Sequence, residues 1–186
     1  MWQRSVVRNS IAAMCSFCVV LSMASPALAE GAEYDSGSSV DPAVLISANV
    51  VPRVPHKSGT GRRIVYASKM QRAWVVGADN SIIRTFLVSG RRAVPKPGTY
   101  RVFSQSLTSF SPIISGVTFR YMTRFAIGPG GGNIGFHELP LRYGKPMQSI
   151  DQLGTYQGSG CLRSATADAK FIFKWAHIGT SVVVVP

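Results

Sequence analysis

The strongest constraint on the fold is the way turn chemistry chops the second two thirds of the chain into short apolar runs. Ile64 to Ala67 and Arg72 to Gly77 are brief and rich in β-branched and aromatic residues. "ADNS" follows as a turn and "IIRTFLVSG" resumes the pattern, so residues 72–89 are expected to form a hairpin. "VPKPGTYRVF" breaks at its prolines and restarts as a strand at Thr99. "FRYMTRFAIG" alternates Phe119, Tyr121, Thr123 and Phe125 with Arg120, Met122 and Arg124, the period of two of a half-buried strand. A glycine-rich turn, "GPGGGN", leads into the short strand "IGFHEL". Only "ATADAKFIFKWAH" carries helical periodicity, with Ser164 as its expected N-cap and Gly179 beyond its end. "TSVVVV" then reads as a final buried strand. The expectation is a mainly-β domain with one late helix followed by a last strand.

The first segment is set apart by its composition. Arg4 and Arg8 precede an apolar run from Ile11 to Ala24, too short to cross a bilayer comfortably, and Ala27-Leu28-Ala29 has the small-x-small form of a cleavage site. Residues 1–29 are therefore expected to be an export signal, or an uncleaved anchor on the same flank criteria, with an extracellular or wall-associated location. No second apolar stretch has spanning length. Residues 30–60, rich in Gly, Ser and Pro, read as a flexible linker or loosely docked arm, and the compact domain is expected at 61–186. No internal repeat is apparent.

Removing the leader also removes Cys15 and Cys18, leaving Cys161 alone and precluding a disulfide within the chain. It leaves 18 basic against 8 acidic side chains, a net +10, which suits a polyanionic neighbour such as an acidic wall. The basic residues are scattered and no nucleic-acid-binding motif accompanies them, which argues against nucleic acid. One cysteine and scattered histidines give no metal-ligand spacing, and no cofactor is implied.

Cys161 stands in "GSGCLR". Placed near the start of the expected helix and two residues from Arg163, its thiol is expected to be acidified. Gly158 and Gly160 leave room for a substrate backbone and permit a turn whose N–H groups face a developing oxyanion. A cysteine nucleophile needs a base. His56 lies in the linker, and His177 at the helix end is accounted for by the helix dipole. His137 ends a strand beside a glycine-rich turn, and the 23 residues between it and Cys161 are enough to bring the chain back to the same edge.

From about Arg62 to Pro186 the chain resembles the L,D-transpeptidases of the bacterial cell wall, the YkuD-type domains, in exported actinobacterial-like form. The resemblance rests on "RIVYASKMQRAWVV", "PKPGTYRVF", "IGFHELP", "GSGCLR" and "DAKFIFKWAHIGTSVVVV". It implies a β-sandwich or barrel-like catalytic domain and a two-step acyl transfer on peptidoglycan stem peptides. Cys161 would be the nucleophile and His137 the general acid and base. Ser159, Gly160 and the Cys161 N–H would form the oxyanion loop, and Arg163, with Tyr121 and Arg124, would line the substrate groove. Carbapenem-type β-lactams would be acylating inhibitors. Transfer of the acyl group to water, and a non-catalytic wall-binding role, stay open. The chain departs from the family pattern at Ser159, where a second histidine is usual, and Glu138 is expected to point away from His137 because adjacent strand residues face opposite ways.

Overall fold

The computed structural model describes residues 51–186; the expected leader and residues 30–50 of the arm lie outside the described residues. Among the described residues there are eleven strands: β1 (Arg63–Ala67), β2 (Arg72–Val76), β3 (Ile82–Leu87), β4 (Gly98–Arg101), β5 (Ser104–Phe110), β6 (Val117–Ile127), β7 (Asn133–Glu138), β8 (Leu141–Arg142), β9 (Lys145–Pro146), β10 (Leu162–Ser164) and β11 (Ser181–Val185). The helix α1 spans Thr166–Trp175, and a 3-10 turn covers Ile150–Gln152. Among the described residues no helix is long and apolar enough to cross a membrane.

The strands form two sheets. One has the order β3-β2-β1-β11-β4, with β1 and β11 parallel and the other pairs antiparallel. The other has the order β10-β7-β6-β8-β9, with β5 on the free side of β6. Inward residues of both sheets meet in one core: Ile64, Tyr66 and Val182 from the first, Phe125, Phe136 and Leu162 from the second, with Ile172 from α1. The valine-rich last strand lies inside its sheet, between β1 and β4, with one face buried and the other partly covered, whereas polar β5 is an edge. On the outer face of the first sheet, Val54 packs with Trp74 and Val76, and the Trp74 indole donates to the Pro52 carbonyl at 2.7 Å. Residues 52–58 of the arm are thus docked on the domain.

Two local features differ from the sequence reading. Tyr121 adopts φ +59°, which breaks the alternation of β6. Phe119, Met122 and Arg124 consequently share one face, and Phe125 turns to the core. Ser164 does not cap α1; it ends β10, its hydroxyl donates to the His137 carbonyl at 3.3 Å, and Ala165 occupies the cap position without a side-chain bond. A three-residue strand therefore separates Cys161 from the helix start.

Candidate active site

β7 and β10 run parallel, pairing Leu162 with Phe136 and Arg163 with His137. A parallel pair needs a crossover of about a dozen residues or more. The segment from β8 through the 3-10 turn supplies it, and so brings Cys161 back alongside the strand that carries His137. β10 is closed on its other side by Ser89, which exchanges two backbone hydrogen bonds with Arg163 at 2.8 and 2.9 Å. Gly90 fixes the approach to the cysteine: its carbonyl accepts from the N–H groups of Gln157 and Gly158, both at 3.0 Å. Its own N–H is bound by the buried side chain of Gln71, which in turn donates to Tyr66. Gly158 is required by this folding back, since a Cβ there would stand 2.5 Å from the Cys161 carbonyl oxygen. Gly160 has φ +154°, a conformation side chains other than hydrogen rarely allow.

The result is a cleft of about 290 Å³ that brings together Cys161, His137, Ser159, Gly160, Arg163 and Arg124. Tyr121 does not line it. Its ring packs edge-on against Phe173 and receives the Arg120 guanidinium, a consequence of its positive φ. The glycine-rich turn 128–132 and the Phe110–Ile113 loop complete the walls.

His137 is buried, its ring stacked on Phe119 with centroids 4.0 Å apart. Its Nδ1 lies 2.5 Å from the Glu138 carbonyl oxygen. A carbonyl can only accept, so Nδ1 carries the proton and Nε2 presents a lone pair. Burial pushes the imidazole down to about 4, with the nearby Arg163 adding to the effect and the Glu138 carbonyl opposing it. The Glu138 side chain points away, as expected, and takes both Arg120 nitrogens (2.8 and 3.1 Å), the Arg120 N–H and the Thr166 hydroxyl. It is the main-chain carbonyl of that residue that orients the base.

Cys161 differs from expectation in its acidity. Burial raises its pKa above the ordinary thiol value, although the Gly135 N–H and the guanidinium groups of Arg124 and Arg163 favour the anion. The intervening β10 removes the helix start from the sulfur, and partial desolvation outweighs the remaining charges. The thiol donates to the Asn133 carbonyl at 3.3 Å. At rest both partners are neutral.

Residues 61–184 match the YkuD family, the L,D-transpeptidase catalytic domain. The chain belongs to this family. The L,D-transpeptidase fold recurs in solved structures: an enzyme from Mycobacterium smegmatis (TM-score 0.53, 15% identity, 69% of this chain and 60% of that one) and one from Xylanimonas cellulosilytica (0.53, 18%, 77% and 68%). A third is LdtMt1, solved in complex with imipenem (0.52, 18%, 68% and 60%). Identities this low establish the fold alone, and this L,D-transpeptidase-family chain spans about three fifths of the first and third of these structures. No curated protein sequence matches it significantly.

Several parts of this L,D-transpeptidase-type cleft escape a reading of the sequence. Gln148 is buried, donates to Ser89 Oγ at 2.8 Å and accepts from Arg163 at 3.3 Å, yet nothing around it in the sequence marks it. Phe119 was legible only as an apolar strand residue. Ser159, standing where the family usually has a histidine, is exposed at the cleft.

Proposed function

We propose that the protein is an exported cysteine acyltransferase that cross-links peptidoglycan stem peptides through a thioester at Cys161. The observation that carries this reading is the convergence of Cys161 with a buried imidazole whose Nε2 is free to accept a proton. On substrate binding the thiol turns from Asn133 toward Nε2. Sγ attacks the carbonyl between the L- and D-centred residues while Nε2 takes the thiol proton. The tetrahedral oxyanion is met by backbone N–H groups of the Ser159–Cys161 loop. Collapse breaks the C–N bond, the imidazolium returns its proton to the departing amine, and a thioester remains. The side-chain amine of a second stem, typically on diaminopimelate, then attacks the thioester. It gives its proton to Nε2, and the thiolate leaves and is reprotonated. With Ser159 in place of a second histidine, all base chemistry falls to His137.

Carbapenem treatment followed by intact-mass measurement tests the reading. One covalent equivalent is expected on wild-type protein and none on Cys161→Ala. Muropeptide analysis after incubation with sacculi separates the outcomes: new cross-links support acyl transfer to an amine, trimmed stems support a carboxypeptidase. An unchanged profile with an unmodified thiol leaves a wall-binding module.

A further inference from the structure

We infer that Arg124 and Arg163, which line the same cleft as Cys161, form a paired carboxylate-recognition site by which the cleft selects stem peptides with free rather than amidated carboxylates. The inference rests on the reading of the cleft as a stem-peptide site and names the chemistry it prefers.

The ion pairs among the described residues are Arg84–Asp168 and Arg120–Glu138, neither of them in the cleft. Arg124 and Arg163 are half-buried and held only by neutral groups. Arg124 donates to the hydroxyls of Ser106 and Ser109 at 2.9 and 3.0 Å, and Arg163 to the Gln148 amide oxygen at 3.3 Å. These partners fix the guanidinium planes without neutralising them. A guanidinium has five N–H donors, so each keeps donors for a ligand. No aspartate or glutamate lines the cleft. Both guanidinium groups line the cleft with Cys161, and both charges favour its thiolate.

Partly desolvated cations without counter-charges are costly, and a carboxylate that pairs with them recovers that cost. The general surface charge cannot substitute for them, because exposed charges are screened beyond about 8 Å at physiological salt. The side-chain end of diaminopimelate carries an ammonium and a carboxylate on one carbon. Amidation removes the anion and leaves a net cation facing the half-buried Arg124 and Arg163, with exposed Arg91 also on the cleft wall. The cleft therefore discriminates by attraction toward the free acid and by repulsion of the amide.

Equilibrium binding to Cys161→Ala protein tests this without any turnover. The probes are a fluorescently labelled diaminopimelate stem tetrapeptide as free acid and its side-chain amide. The free acid is expected to bind about tenfold tighter or more, as a charge-assisted pair implies. Arg124→Gln and Arg163→Gln should each shrink that ratio toward one, with Arg163→Lys retaining part of it and thermal melts showing that the variants fold. A ratio of one or less on the parent protein, binding of neither peptide, or a ratio surviving both glutamine substitutions overturns the inference. Carbapenem acylation of the wild-type thiol is scored separately, so failure of the carboxylate site and failure of the nucleophile are distinguishable.

Discussion

His137 and Cys161 are displaced from their ordinary pKa values in opposite directions by the same cause, the loss of water around a group that would carry charge. The imidazole stays neutral until pH falls to about 4, and the thiol stays protonated beyond the usual thiol range. The competent neutral pair thus spans the whole interval between them. The rate of carbapenem acylation should fall on the acid side with a midpoint near 4; a midpoint at the ordinary histidine value would contradict the burial argument. Alkylation by iodoacetamide should keep rising at alkaline pH, since thiolate is scarce below it. Glu138 acts through the carbonyl that holds Nδ1. Burial alone would raise its carboxyl, but the Arg120 and Thr166 hydrogen bonds outweigh that and hold it below the usual carboxylate range. Glu138→Ala strands those donors and should cost about 1–3 kcal/mol in urea unfolding. It should also slow acylation, because the main-chain carbonyl that orients the base is no longer anchored by the Arg120 and Thr166 bonds to the side chain. Glu138→Gln, which keeps an acceptor, should recover much of the rate, whereas a merely structural role would leave the rate untouched in both.

The pairing of β6 with β7 positions the strand that carries His137, and Gly135 is a point of close backbone approach between them. A Cβ there would lie 2.3 Å from the Thr123 carbonyl oxygen and 2.9 Å from the Arg124 Cα, both backbone atoms that cannot swing aside. Gly135→Ala should therefore destabilise the domain by about 1–3 kcal/mol or more. It should also depress acylation, because the strand that carries His137 must shift; an unfolding midpoint equal to wild type would refute this. Gly135 is a glycine the sequence offers no reason to single out, and that is typical of what was legible. The 72–89 hairpin, the strand into His137, the late helix and the buried last strand were all visible, since each has a period and a terminator. β10 was hidden because three residues carry no period, and β5 because "SQSLTSF" is polar enough to pass for a loop. The same hidden β10 misled the reading of the thiol, by making Cys161 a neighbour of the helix start. Tyr121 was misplaced because alternation assumes ordinary backbone angles, and a single positive φ overturns it.

At the scale of the whole molecule, charge and burial meet in the response to acid. The chain is strongly basic, +12 at neutral pH by formal charge, so lowering the pH adds repulsion everywhere. His137 adds a specific term. Folded, it titrates at about 4; unfolded, near its ordinary value of 6.5. Between these values the unfolded chain binds the extra proton, so stability is full above about pH 6.5 and is lost as pH falls through 4, where the loss levels off. A displacement of that size is worth about 3 kcal/mol, at roughly 1.4 kcal/mol per pH unit. Glu138, with its folded pKa lowered, works in the same direction but only below the ordinary carboxylate value. The two are separable by window. Urea midpoints should decline from pH 6.5 to 4 in wild-type protein, and His137→Gln should flatten that decline while leaving the steeper loss below pH 4. If the wild-type midpoint is constant across the upper window, the imidazole is not buried in the neutral form, and the neutral thiol–imidazole pair on which the proposed mechanism depends is lost with it.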